Sequence, residues 1–155
     1  MSNTFIKDAI CNIYAGNKSR SKIELVLNTI LPEFDEITAL SFEHPIDPNF
    51  VFKNDKEFVN FFLEERNLSQ TFYWNQSVNN PQNIMVGARI TIDNKLIVSV
   101  TLDGFEEDVN RLYLKLKEIL KSDTGVISYF DPPNYSDGAD FIERYGQIKY
   151  EFEEK

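Results

Sequence analysis

The sequence predicts an α+β fold. The expected sheet is mixed and mainly antiparallel, made of a hairpin over residues 84–102 and a strand over 126–131. Helix 105–121 covers it, and further helices precede it. Three observations lead there. Ile84–Ile92 and Leu96–Leu102 each alternate apolar and polar residues, with Asp93-Asn94-Lys95 as turn formers between them. Residues 105–121 carry an apolar stripe at helical spacing. Val126–Phe130 is a second β-rich run beyond the Asp123-Thr124-Gly125 break.

The elements follow in order. Phe5, Ile6, Ala9, Ile10, Ile13 and Tyr14 fall on one face of a helix that would end near Gly16. Ser21-Lys22-Ile23-Glu24 has the form of a capping box. It would open a helix whose buried stripe is Ile23, Val26, Leu27, Ile30 and Leu31, stopped by Pro32. This N-terminal helical portion, about residues 1–32, is expected to pack as an appendage on a single domain spanning 1–155. Ile37–Phe42 is a short strand candidate. The prolines of Glu43-His44-Pro45-Ile46-Asp47-Pro48 exclude regular structure after it.

Asn54 is placed to cap a helix bearing Phe58, Phe61 and Phe62. Thr71-Phe72-Tyr73-Trp74 is a strand by its aromatic and β-branched content. On the hairpin, Ile84, Val86, Ala88, Ile90 and Ile92 share a face with Leu96, Val98, Val100 and Leu102. Arg89, Thr91, Ser99 and Thr101 occupy the wetter one, and Met85 and Ile97 break the alternation. Asp103-Gly104-Phe105-Glu106 is a third capping pattern. Its helix gathers acids at the start and lysines at the end, as the helix dipole favours. The strand–helix–strand crossover should be right-handed and join parallel strands, with Ile84–Ile92 lying between them. A short helix from about Gly138 to Tyr145, stopped by Gly146, and an edge strand or tail over Gln147–Phe152 complete the chain.

Composition narrows the function classes. The chain has 155 residues, 42% of them hydrophobic, with 13 Phe and 7 Tyr. That is enough to bury a core. The net charge is −9, which disfavours nucleic acid and anionic membranes as partners. Cys11, among Ile10 and Ile13, reads as a reduced core thiol. The absence of a secretory pattern or a long apolar run leads to the expectation of a cytoplasmic protein.

Chemistry is thinly represented. His44 is the single histidine and Cys11 the single cysteine, which is too few for a usual zinc site or for a nucleophile with a free choice of base. Asp131, Asn134, Asp137 and Asp140 form the best oxygen cluster, but their spacing is not that of a calcium loop. Glu64/Glu65 and Glu106/Glu107 diverge on their helices, so they are no catalytic pair. The glycines are dispersed, with no phosphate loop. The expectation is therefore no enzyme, no cofactor and no metal.

Two features favour binding. Residues 23–52 hold six acids (Glu24, Glu33, Asp35, Glu36, Glu43 and Asp47) and no Lys or Arg, a field able to steer a basic partner. Strand alternation also sends Tyr73 away from Phe72 and Trp74, and exposed tyrosines are common anchors at interfaces. The expected partner-binding residues are Glu33, Asp35, Glu36, Glu43, Asp47 and Tyr73.

The small, acidic, α/β profile, with its hairpin–helix–strand block ending in Ser128-Tyr129-Phe130-Asp131-Pro132-Pro133, resembles stand-alone bacterial immunity proteins, the antidotes of polymorphic toxins. The resemblance implies stoichiometric inhibition of a toxin, often a basic nuclease. It carries no family residue onto a numbered position. The alternative is a small structural or scaffold subunit of a larger bacterial or phage assembly.

Overall fold

The computed structural model describes residues 4–35, 47, 49, 50, 52–129 and 131–146. These residues form strands β1 (Phe5–Asn17), β2 (Gln70–Asn75), β3 (Met85–Ile90), β4 (Lys95–Phe105) and β5 (Gly125–Tyr129). Their helices are α1 (Arg20–Ile30), α2 (Asp55–Glu64), α3 (Glu106–Leu120) and α4 (Gly138–Tyr145). The strands make one sheet in the order β2-β3-β4-β1-β5. Each adjacent pair is antiparallel.

The first element corrects the sequence reading. Residues 5–17 are an extended strand, not a helix, and β1 lies inside the sheet between β4 and β5. The physical reason is burial on both sides. Every residue from Ala9 to Ile13 is buried. Such a run contains the helical spacing and the strand spacing at once, and tertiary pairing decides between them. Gly16, expected to end a helix, instead has φ of 79°, at the irregularity in register between Tyr14 and Asn17. Such a backbone suits a residue without Cβ. Asp8, at φ of 57°, marks a second irregularity between Ile6 and Ala9.

The crossover is corrected in the same way. β4 and β5 are each antiparallel to β1, hence parallel to each other with β1 between them. The strand expected there, β3, pairs with β4 on its other side.

The caps are partly as expected. Asn54 Oδ1 accepts from the Glu57 amide at 2.9 Å. Asp137 caps α4, accepting from the Asp140 amide at 2.8 Å. α1, however, starts after Ser19 with no side-chain cap, so Ser21 lies within the helix. α3 starts after Phe105, and Asp103 accepts from the Asp8 amide and the Asn83 side chain instead. The Ile37–Phe42 and Gln147–Phe152 candidates lie outside the described residues.

The main core lies on one sheet face. Ala9, Cys11, Ile13 and Ala15 of β1 join the even-numbered apolar residues of β3 and β4 beneath the helices. α3 packs on β1 and β4, and α1 on α3 and β3. α2 covers β2 through rings: Phe58 and Phe62 lie 5.3 Å and 5.7 Å from Phe72, edge to face. Arg20 of α1 donates to Asn60 of α2 at 2.6 Å. Lys18 donates to the carbonyls of Phe62 and Glu65, at the exposed C-terminal end of α2, where a cation is favoured. Cys11 is fully buried, and burial pushes its thiol up to about 12. That keeps it protonated and inert at neutral pH.

Ile13 is fully buried, between the sheet and α3. Ile13→Ala should lower the unfolding free energy by about 2–5 kcal/mol in urea titrations, whereas truncating a solvent-facing helix residue costs under about 1 kcal/mol.

Candidate binding face

The second sheet face is only partly covered. Odd-numbered residues of β3 and β4 and Ile10, Asn12 and Tyr14 of β1 point to it, and strand register arranges them in cross-strand rows. One row runs Thr71, Arg89, Ile97, Tyr14. The next runs Tyr73, Gly87, Ser99, Asn12, Val126. The third runs Asn75, Met85, Thr101, Ile10, Ser128. Short polar residues therefore line the middle of the sheet.

α4 and the segment before it cover one end of this face. Tyr135, Phe141 and Tyr145 pack with Ile97 and Val126 in a second, smaller core, with Tyr14 against it. Ile97 breaks the hairpin's alternation for this reason: it is buried from the other side. One carboxylate ties α4 down. Asp93, in the β3–β4 turn, accepts from the amides of Gly138 at 2.9 Å and Ala139 at 3.0 Å. Burial opposes ionisation of Asp93, but the Thr91 hydroxyl and these amides outweigh it and hold the carboxyl below its usual range. Thr91, expected on the wet face, is fully buried as part of this turn.

The described residues leave open a groove of about 430 Å³. Asn12, Ser99 and Thr101 line its floor, and Pro132, Pro133 and Tyr135 line it from the covering segment. Tyr73 lies on the β2 side and is 52% exposed, against 2% and 3% for Phe72 and Trp74. The expected alternation is present. Gly87 makes room for that ring: a Cβ there would sit 2.3 Å from Ser99 Oγ and 3.1 Å from the Tyr73 ring. The Arg89 guanidinium stacks 4.5 Å from the centre of the Tyr135 ring. Burial raises the Tyr135 phenol, and the charge of Arg89 works against that rise.

The expected acidic residues divide into three groups. Asp35 is at the end of β2: its amide donates to the Asn75 carbonyl at 2.7 Å, and its carboxylate accepts from the Ser77 amide at 2.9 Å. It thus stands two strand positions from Tyr73. Glu33 is exposed on the same loop, with its amide bonded to the Gln76 side chain. Asp47 accepts from the Asn49 amide at 3.0 Å, a local turn contact. Glu36 and Glu43 lie outside the described residues, as does His44.

The oxygen cluster near the C-terminus is occupied by structure. Asp137 caps α4, and Asp140 accepts from Ser136 and from Arg144. Among the described residues, no three potential ligands gather to hold a metal ion. No helix among them is long and apolar enough to cross a membrane.

Sequence reasoning missed Asn12, Tyr135 and the groove itself. Asn12 is 4% exposed, and its Nδ2 has no hydrogen-bond partner among the described residues. Ser128 Oγ, in the neighbouring row, is in the same condition. Read as a strand, Ile10-Asn12-Tyr14 would have announced a face with a polar residue between two apolar ones. No protein-family model, curated protein or solved structure matches the chain.

A buried orphan donor costs stability. Asn12→Val should therefore raise the unfolding free energy by about 1 kcal/mol, read by urea titration. Asp93 has a depressed folded-state pKa, so its stabilisation is present above the ordinary aspartate range and is lost as pH falls through the folded value. Acid titration of Asp93→Asn should show a flatter fall in stability below about pH 4 than the parent chain shows.

Proposed function

We propose that this chain is a non-catalytic binding protein of the immunity type, which neutralises a toxin by one-to-one association. The observation carrying this reading is the open half of the sheet, with Tyr73 exposed at its side and the acidic Glu33–Asp35 loop fastened to the end of the same strand. A half-exposed tyrosine over a rigid sheet loses little conformational freedom on binding and suits an anchor. A net charge of −9, with carboxylates beside that anchor, favours a basic protein and speeds encounter with it. In this reading the work is occlusion in the cytoplasm, and no bond is made or broken.

The geometry also shows how to test the charge. Asp35 holds the Ser77 turn, so reversing it would disturb structure as well as field. Glu33 is the cleaner probe. The partner is to be isolated by co-purification from the native host and its binding followed by surface plasmon resonance. Tyr73→Ala should weaken affinity by about tenfold or more, chiefly through faster dissociation. Glu33→Lys should slow association and reduce its salt dependence. Unchanged rates in both variants would remove this face from the interface and end the reading.

A further inference from the structure

We propose that the covered end of the groove is a site for a small planar organic carboxylate. This goes beyond macromolecular docking and does not depend on it.

Two side chains in the groove have donors to spare. Arg89 lines the groove and forms no ion pair with any described carboxylate. Its guanidinium rests on the Tyr135 ring at 4.5 Å. One of its donors also reaches the Tyr135 hydroxyl. The ring contact fixes the plane of the group, and the N–H donors that remain form a fork that matches a carboxylate in bidentate fashion. Asn12 supplies a second unmatched donor in the same groove, 4% exposed with Nδ2 unpartnered. Its terminal torsion is soft, so the carboxamide can turn its N–H₂ toward a bound acceptor. The Thr71, Ser99 and Thr101 hydroxyls line the same space.

Two carboxylates bear on such a ligand: Asp93, whose charge reaches Tyr14 in the Arg89 row, is held by Thr91 and the α4 amides, and Asp8 is at the far end. Asp8 is the lining carboxylate. It lies beyond the Ile10 row, six residues along β1 from the Tyr14 row that holds Arg89, or about 20 Å at the rise of a strand. An anion seated at Arg89 is therefore remote from it. The Tyr73 and Tyr135 rings favour a flat ligand, and about 430 Å³ accommodates a molecule of one or two rings.

The test uses benzoate as probe and benzamide as its neutral isostere, titrated into the full ¹⁵N-labelled chain at neutral pH. Benzoate should shift the amide signals of Asn12, Gly87, Arg89 and Ser99 saturably, and benzamide should bind about tenfold more weakly. Arg89→Gln should reduce benzoate to the benzamide level, and Arg89→Lys, which keeps the charge without the fork, should fall between them. Thermal unfolding of both variants checks that they remain folded. Equal affinity for the two probes, shifts away from the groove, or benzoate binding unchanged in a folded Arg89 variant would each overturn the proposal. None of these results bears on Tyr73 as an anchor for a protein.

Discussion

Strand β1 must find partners on both sides, and both arrive late in the chain. Phe5 pairs with Phe105, and Ile13 pairs with Val98 on one flank and Gly125 on the other. Until residues 95–129 are in place, the apolar stretch from Ala9 to Ile13 has nowhere to be buried. The hairpin and α3 are local and form with little loop closure, but joining β1 to them closes loops of nearly the whole domain. Once β1 is seated, it carries side chains to both faces at once. Ala9, Cys11 and Ile13 complete the core under α3, while Ile10, Asn12 and Tyr14 complete the floor of the groove and the footing of α4.

The two faces differ because the covering elements differ. α1, α2 and α3 close one face with aliphatic side chains and an interlocked set of phenylalanine rings. Among the described residues, α4, eight residues long, and the segment before it lie against the other. A short helix covers a few strand positions, so the described residues leave the far half of that face open. Ser99 and Thr101 of β4 occupy positions there that the core face gives to Val98, Val100 and Leu102. Polar side chains beside partly buried aromatics leave a surface with both hydrogen-bonding and apolar capacity.

Much of this was legible in local chemistry. The hairpin faces follow from alternation, α2 from its Asn54 cap and phenylalanine spacing, and α4 from the residues between Asp137 and Gly146. Tyr73 was legible as an outward residue for the same reason. What could not be read locally is what depends on distant pairing. β1 is apolar on both faces, so its periodicity is ambiguous, and the misreading of β1 concealed Asn12. The groove is assembled from rows that cross four strands, and Arg89 acquires its ring partner from a residue 46 positions later, Tyr135. The acidic stretch was visible as composition, but the attachment of Asp35 to the end of β2 depends on a turn contact 42 residues away.

Gly87 has a consequence for how such a surface diversifies. Its missing side chain lets the Tyr73 ring lie over the strand, close to the Ser99 hydroxyl. Every glycine codon is one nucleotide from an alanine codon, and even a methyl group at this position must displace the ring or the hydroxyl. The relief of the open face can thus be reshaped by a single base change. Because Gly87 is buried between the Tyr73 ring and Ser99, such a change is also felt in the packing of three strands, so relief and stability move together at this position.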